Sequence, residues 1–68
     1  MIDQIIASSS SDFSTGELMW RPQVYRATGP DEAHLQREFL YVGKELYKEA
    51  SDATDDAVRV KASLAPDR

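Results

Sequence analysis

The sequence predicts a mainly α fold in which an N-terminal arm with a short extended segment precedes a long amphipathic helix. Three observations favour it: an apolar stripe in the C-terminal half, a helix-start signal after residue 28, and alternating residues before that signal. The steps of the stripe average about 3.6 residues, which is the period of an α-helix. The stripe consists of Leu35, Phe39, Val42, Leu46, Ala50, Ala53, Ala57, Val60 and Leu64.

The arm is expected to span residues 1–28 and to be largely irregular. Ile2, Ile5 and Ile6 follow one another at helical spacing and predict one short apolar turn. The four serines at 8–11 are poor helix formers, so they predict a linker or a helix cap.

Residues 17–27 predict the extended segment, because Leu18, Trp20 and Val24 share one parity. Pro22 has no N–H to give to a strand ladder, which predicts an edge strand or no strand at all. A single strand cannot form a sheet by itself. The segment is therefore expected to lie along the helix, to pair with a second copy, or to add to the sheet edge of a partner.

Residues 28–32 carry the helix-start signal. Pro30 suits the first helical position, and Asp31 and Glu32 complement the positive end of the helix dipole. The helical region is expected to cover 29–64, with the helix itself running from about 30 to 64. Pro66 is expected to end it and to leave 65–68 as a tail.

The segment 50–56 is the uncertain part of this helix, because serine, aspartate and threonine are weak helix formers. The stripe keeps its phase here, which favours one helix that is continuous or bent. The alternative is a helical hairpin that turns near 50–53. Its second helix would be capped by Ser51 or Asp52, with Arg59 and Lys61 near its end.

The composition of the chain limits the kinds of partner and the cellular compartment that we expect. The chain has 68 residues, 12 acidic against 8 basic side chains and a net charge of −4, so it is a small acidic protein without a basic patch for nucleic acid. No apolar run is long enough to cross a bilayer. We expect a single domain over 1–68, located in the cytoplasm, with no membrane or nucleic-acid partner.

No catalytic or metal-binding pattern is present in the sequence. There is no cysteine and only one histidine, His34, whose neighbour Glu38 lacks the second histidine of a zinc-protease motif. The serines have no histidine near them in sequence, and Gly16 is not part of a phosphate-binding loop. We therefore expect no enzyme activity, no cofactor, no metal and no small-molecule substrate.

The remaining signal is a set of residue types that dominate protein interfaces: aromatic residues and arginine on the arm, and apolar residues on the stripe. They favour a protein–protein interaction module, acting as an adaptor, an inhibitor or an accessory subunit of a larger protein. The alternative function is a structural homo-oligomer within a phage or multisubunit assembly. Trp20 and Tyr25 have a further alternative role, as the core of the chain itself. The expected partner-binding residues are Trp20, Arg21, Tyr25, Leu40, Tyr47, Val60 and Leu64.

Overall fold

The chain forms a three-stranded antiparallel sheet followed by one helix, in a computed structural model that describes residues 1–64. The prediction of a mainly α fold is therefore wrong, in both its continuous and its hairpin form, and so is the description of the protein as helical. The predicted tail at 65–68, with Pro66, lies outside the described residues. The elements are β1 (Ile2–Asp12), β2 (Met19–Gly29), a 3-10 turn (Glu32–His34), β3 (Gln36–Val42) and α1 (Ala50–Leu64).

The predicted arm is a β-hairpin, because β1 and β2 pair without interruption from Ile2 opposite Gly29 to Asp12 opposite Met19. Asp12 starts the loop by accepting a hydrogen bond from the Ser14 N–H at 2.7 Å. Gly16 completes it with a φ of 89°, a left-handed conformation that glycine adopts at little cost. The serines at 8–11 thus belong to a strand and do not form a linker.

The extended segment is confirmed as β2, but β2 is the central strand and not an edge. Pro22 is tolerated there because its backbone faces β3 at the point where that strand has ended. The Pro22 carbonyl accepts from the Gly43 N–H at 2.8 Å, just beyond Val42, and a residue in an antiparallel strand directs its N and C=O to the same side. The N–H that proline lacks is therefore not needed for pairing with β1.

The helix-start signal at 28–32 produces only the 3-10 turn. Asp31 caps it by accepting from the Ala33 N–H at 3.0 Å, and the chain is extended again at Leu35. β3 then pairs with β2 from Thr28 to Gln23, with one irregularity at which Leu40 is the extra residue. The first half of the apolar stripe is consequently spread over a strand and a loop.

The helix α1 covers one face of β1 and β2 with the second half of the stripe. Ala53 and Ala57 are fully buried, and small side chains at these positions let the helix approach the sheet closely. The second half of the stripe therefore packs within the chain itself. Beneath the helix, the only large side chains that are fully buried among the described residues are Val24 and Pro22, so the core is thin.

No helix within residues 1–64 has both the length and the apolar character needed to cross a membrane.

Candidate functional site

The face of the sheet opposite α1 carries an apolar row across all three strands. In this row Ile6 lies opposite Tyr25, and Tyr25 lies opposite Phe39. The Tyr25 and Phe39 rings are 5.5 Å apart between centroids and tilted by 49°, a favourable aromatic arrangement. Phe39 is nevertheless 50% exposed. We call this surface the open face, and its residues are Ile6, Tyr25, Ala27, Arg37, Phe39 and Val42.

Arg37 joins the apolar row to a positive charge. Its guanidinium carbon lies 5.3 Å from the centre of the Tyr25 ring, within the range of a cation–π contact. Its strand partner is Ala27, which is 1% exposed. Val42 extends the open face and is 51% exposed. The result is a partly exposed apolar and aromatic surface with an arginine held across it.

The seven residues predicted to bind a partner do not form one surface. Trp20 and Tyr25 have opposite parity on β2, so they lie on opposite faces of the sheet. Leu40 is the extra residue of the β3 irregularity and is 39% exposed. Val60 and Leu64 belong to α1, where Val60 is half-buried and Leu64 is 44% exposed.

Trp20 and Tyr47 tie the segment after β3 to the central strand. They form an isolated antiparallel bridge, with Trp20 N–H donating to Tyr47 C=O at 2.7 Å and Tyr47 N–H donating to Trp20 C=O at 2.8 Å. Three residues downstream of Tyr47, α1 begins at Ala50. This pair therefore positions the start of the helix and acts within the fold.

The Tyr47 hydroxyl links the same segment to α1. It donates to Asp56 at 2.6 Å and to Glu45 at 3.1 Å. The hydrogen bond to Asp56, followed by the loss of solvent and the contact with Glu45, raises the pKa of Tyr47 well above its ordinary value of 10.0. Tyr47 therefore stays neutral in the folded chain under conditions in which an unfolded tyrosine ionises.

We expect Tyr47→Phe to destabilise the fold at neutral pH, because the variant loses the bond to Asp56. A group with a raised pKa contributes stability that is complete below its unfolded pKa and is lost as the pH rises through its folded pKa. The advantage of the wild type over Tyr47→Phe should thus be constant up to about pH 9 and shrink above about pH 10. Urea unfolding between pH 7 and 11 measures it, with Tyr41→Phe as the control. An advantage that grows above pH 10 would contradict this account.

Arg21 supplies the donor that Pro22 lacks. Its Nη1 donates to the Gly43 carbonyl at 2.7 Å, and its Nη2 pairs with Asp12 at 2.8 Å. Hydrogen bonds from Ser14 and from Arg21 lower the pKa of Asp12 below its usual range, so the pair stays charged down to acidic pH. Arg21 was predicted to contact a partner, and here it connects the hairpin loop to the end of β3.

The described residues offer little for catalysis. Within 1–64 there is no group of three potential metal-ligand side chains close enough to hold an ion, and no enclosed pocket is formed. His34 is exposed and bonds Asp31 through Nδ1 at 2.8 Å, in the arrangement of a turn cap. The absence of enzyme activity stays a prediction from the sequence.

Tyr25 is the only residue of the open face that was predicted to bind a partner, and its neighbours on β3, Arg37, Phe39 and Val42, were not. The signal that could have found them is the run from Phe39 to Val42, whose aromatic and branched residues favour a strand. Read with a period of two, this run places Phe39 on the opposite side from its neighbour Leu40. Comparison of the chain with protein-family models, curated proteins and solved structures gives no match.

Proposed function

We propose that this protein is a non-enzymatic protein–protein interaction module that binds a larger protein through the open face. The observation that carries the proposal is the pair of the half-buried Tyr25 and the 50% exposed Phe39, which lie in contact on the face of the sheet opposite α1. The surface differs from the one predicted from the sequence. The apolar side of the helix is used within the fold, and the aromatic arm is the central strand.

The residue types of the open face suit a binding surface. Tyrosine and arginine recur among residues that dominate binding energy. Tyrosine buries a large area with few freely rotating bonds, and arginine presents several hydrogen-bond donors on one planar group. The contact between Arg37 and the Tyr25 ring restrains both side chains before a partner arrives. A restrained surface loses less side-chain entropy on binding, which favours affinity.

The sheet also supplies a rigid platform for these side chains. Tyr25 lies on the central strand, which is paired on both sides. The opposite side of the same strand carries Val24, which is fully buried under the helix. Backbone movement at the centre of the open face would disturb this core, so we expect the face to hold its shape on binding.

Phe39→Asp is expected to abolish partner binding, because it places a charge at the most exposed position of the apolar row, beside Tyr25. The matched control is Phe13→Asp, since Phe13 is 67% exposed and lies in the hairpin loop, outside the open face. Each variant would be used as bait in an extract of the source organism, with captured proteins identified by mass spectrometry. We expect the wild type and Phe13→Asp to capture the same protein and Phe39→Asp to lose it. Equal capture by Phe39→Asp would refute the proposal, provided that circular dichroism shows an unchanged fold.

A further inference from the structure

The outer edge of β1 is long and unprotected. β1 has 11 residues, and no segment within 1–64 pairs with its outer side. Natural edge strands are usually blunted by proline, lysine, a bulge or short length. β1 contains no proline or lysine, and its register with β2 is continuous. The other edge, β3, has only seven residues, an irregular register and two successive charged residues, Arg37 and Glu38.

The two charges on β1 are already neutralised from the side of β2. Asp3 pairs with Arg26 at 2.8 Å, and Asp12 pairs with Arg21 at the same distance. The stretch between them holds isoleucine, alanine, serine and one glutamine. A second strand could therefore approach this edge without meeting an unpaired charge.

Hydrogen bonding on the far side of β2 shows which backbone groups of β1 point outward. The carbonyls of Trp20 and Pro22 accept from Tyr47 and Gly43, on the β3 side. Their partners across the hairpin, Ser11 and Ser9, consequently have no ladder bond to β2 and direct their N–H and C=O to the free edge. By alternation the outward set is Asp3, Ile5, Ala7, Ser9 and Ser11.

We propose that two copies of this chain associate through these edges, antiparallel about a two-fold axis at Ala7, which is the middle residue of β1. In this register Ile5 lies opposite the partner's Ser9, and Asp3 lies opposite the partner's Ser11. Every outward residue then meets another outward residue, so about ten backbone hydrogen bonds can form. No two like charges are directly opposed, and the result is one six-stranded sheet.

The position of the helix fits the same axis. An axis perpendicular to the sheet places both helices on the same face, and each lies over its own β1 and β2. Neighbouring strands are about 4.8 Å apart, so the two helices would lie two strand spacings, or about 10 Å, from each other. That distance is close to the 8–10 Å typical of packed helices.

The flank of α1 that faces the axis is suited to this contact. Thr54 marks the flank, because its hydroxyl donates to Ser9 at 3.2 Å, and Val58 follows one turn later with 50% exposure. The helix begins near the Ser11 end of β1, since Tyr47 pairs with Trp20 opposite Ser11. One helical turn from Thr54 covers about 6 Å, nearly the distance from Ser9 to Ala7 along the strand.

Val58 thus lies at the level of Ala7, and one axis can pass through both positions. Antiparallel helices centred on Val58 bring Asp55 of one copy opposite the partner's Lys61. The other flank, which carries Asp56 beside Tyr47, points away from the axis. The dimer would also join two open faces into one continuous surface.

Val58→Lys tests the proposal, because it places two like charges at the axis and leaves the buried side of α1 unchanged. Val42→Lys is the matched control, since Val42 is 51% exposed and lies on the open face. Sedimentation equilibrium across a concentration series should show dimers for the wild type and for Val42→Lys. Val58→Lys should weaken the dimer by about tenfold or more, because it loses apolar contact from both copies. A monomeric wild type, or dimers that Val58→Lys leaves unchanged, would overturn the proposal.

Amide hydrogen exchange tests the strand edge without any substitution. In the monomer the amides of Ile5, Ala7 and Ser9 should exchange fast, and those of Ile6 and Ser8 should exchange slowly. With rising concentration the first set should become protected as well. Dimers in which the first set remains unprotected would refute the β1 interface. This outcome is independent of the binding of a larger protein, which Phe39→Asp tests and which a monomer could still perform.

Discussion

Ala57→Leu is expected to lower the free energy of unfolding by about 1–3 kcal/mol, because extra volume under the helix forces it away from the sheet. Ala57 is fully buried where α1 lies against β1 and β2. The loss is a large share of the total stability of so small a chain. Urea unfolding followed by circular dichroism measures it.

The control for this substitution is Ala62→Leu, on the same helix. Ala62 is exposed, so leucine there meets solvent and retains a high helix propensity. We expect a change within about 0.5 kcal/mol. Equal losses from Ala57→Leu and Ala62→Leu would show that the helix does not pack on the sheet through its alanine side.

Gly43→Ala is the second substitution with a large expected effect, and we expect it to cost about 1–3 kcal/mol. A Cβ at this position would lie 2.6 Å from Cγ of Pro22 and 3.0 Å from the hydroxyl of Tyr41. The proline ring is rigid, and the Gly43 backbone is held by its hydrogen bonds to Pro22 and Arg21. The clash can therefore be relieved only by moving the end of β3.

A double-mutant cycle identifies the source of this cost. Pro22→Ala removes the ring, so Gly43→Ala should be less destabilising in that background than in the wild type. Urea unfolding of the four proteins gives the coupling free energy. If Gly43→Ala costs the same in both backgrounds, the proline ring is not the group that requires glycine here.

Several local features of the fold could be predicted from the sequence because they depend on neighbouring residues. The extended segment at 17–27 forms β2, since the alternation that predicted it is an intrinsic property of a strand. Ala53 and Ala57 lie on one buried side of a helix, as their spacing predicts.

The sheet could not be predicted, because two residue-type preferences argued against the strands that form it. Pro22 argued against a central strand, and the serines at 8–11 argued for a linker. Both are accommodated by tertiary contacts: Arg21 donates to the Gly43 carbonyl in place of Pro22, and Ser9 accepts a hydrogen bond from Thr54 of the helix. Because β1 and β2 were not predicted, there was no sheet for the segment from Leu35 to Phe39 to join. Its helical spacing was therefore interpreted as part of a helix.

In the candidate site too, some residues could be predicted from their type, whereas the roles of others depend on the tertiary structure. Tyr25 was predicted as a binding residue from its type, and it lies at the centre of the open face. Trp20 and Tyr47 were predicted on the same grounds, but they pair with each other through their backbones and position α1. Residue type indicates binding potential, whereas strand parity decides which face a side chain reaches.

The sequence by itself determined the charge, the extended segment and the apolar side of the C-terminal helix, because these follow from composition and from contacts within a few residues. Only the tertiary structure decided that β2 is central, that α1 covers one face and that the other face stays open. These features depend on pairings between residues far apart in the chain, such as Ser9 with Pro22 and Tyr25 with Phe39. Their energies come from the shared register of whole strands, which no short stretch of sequence contains.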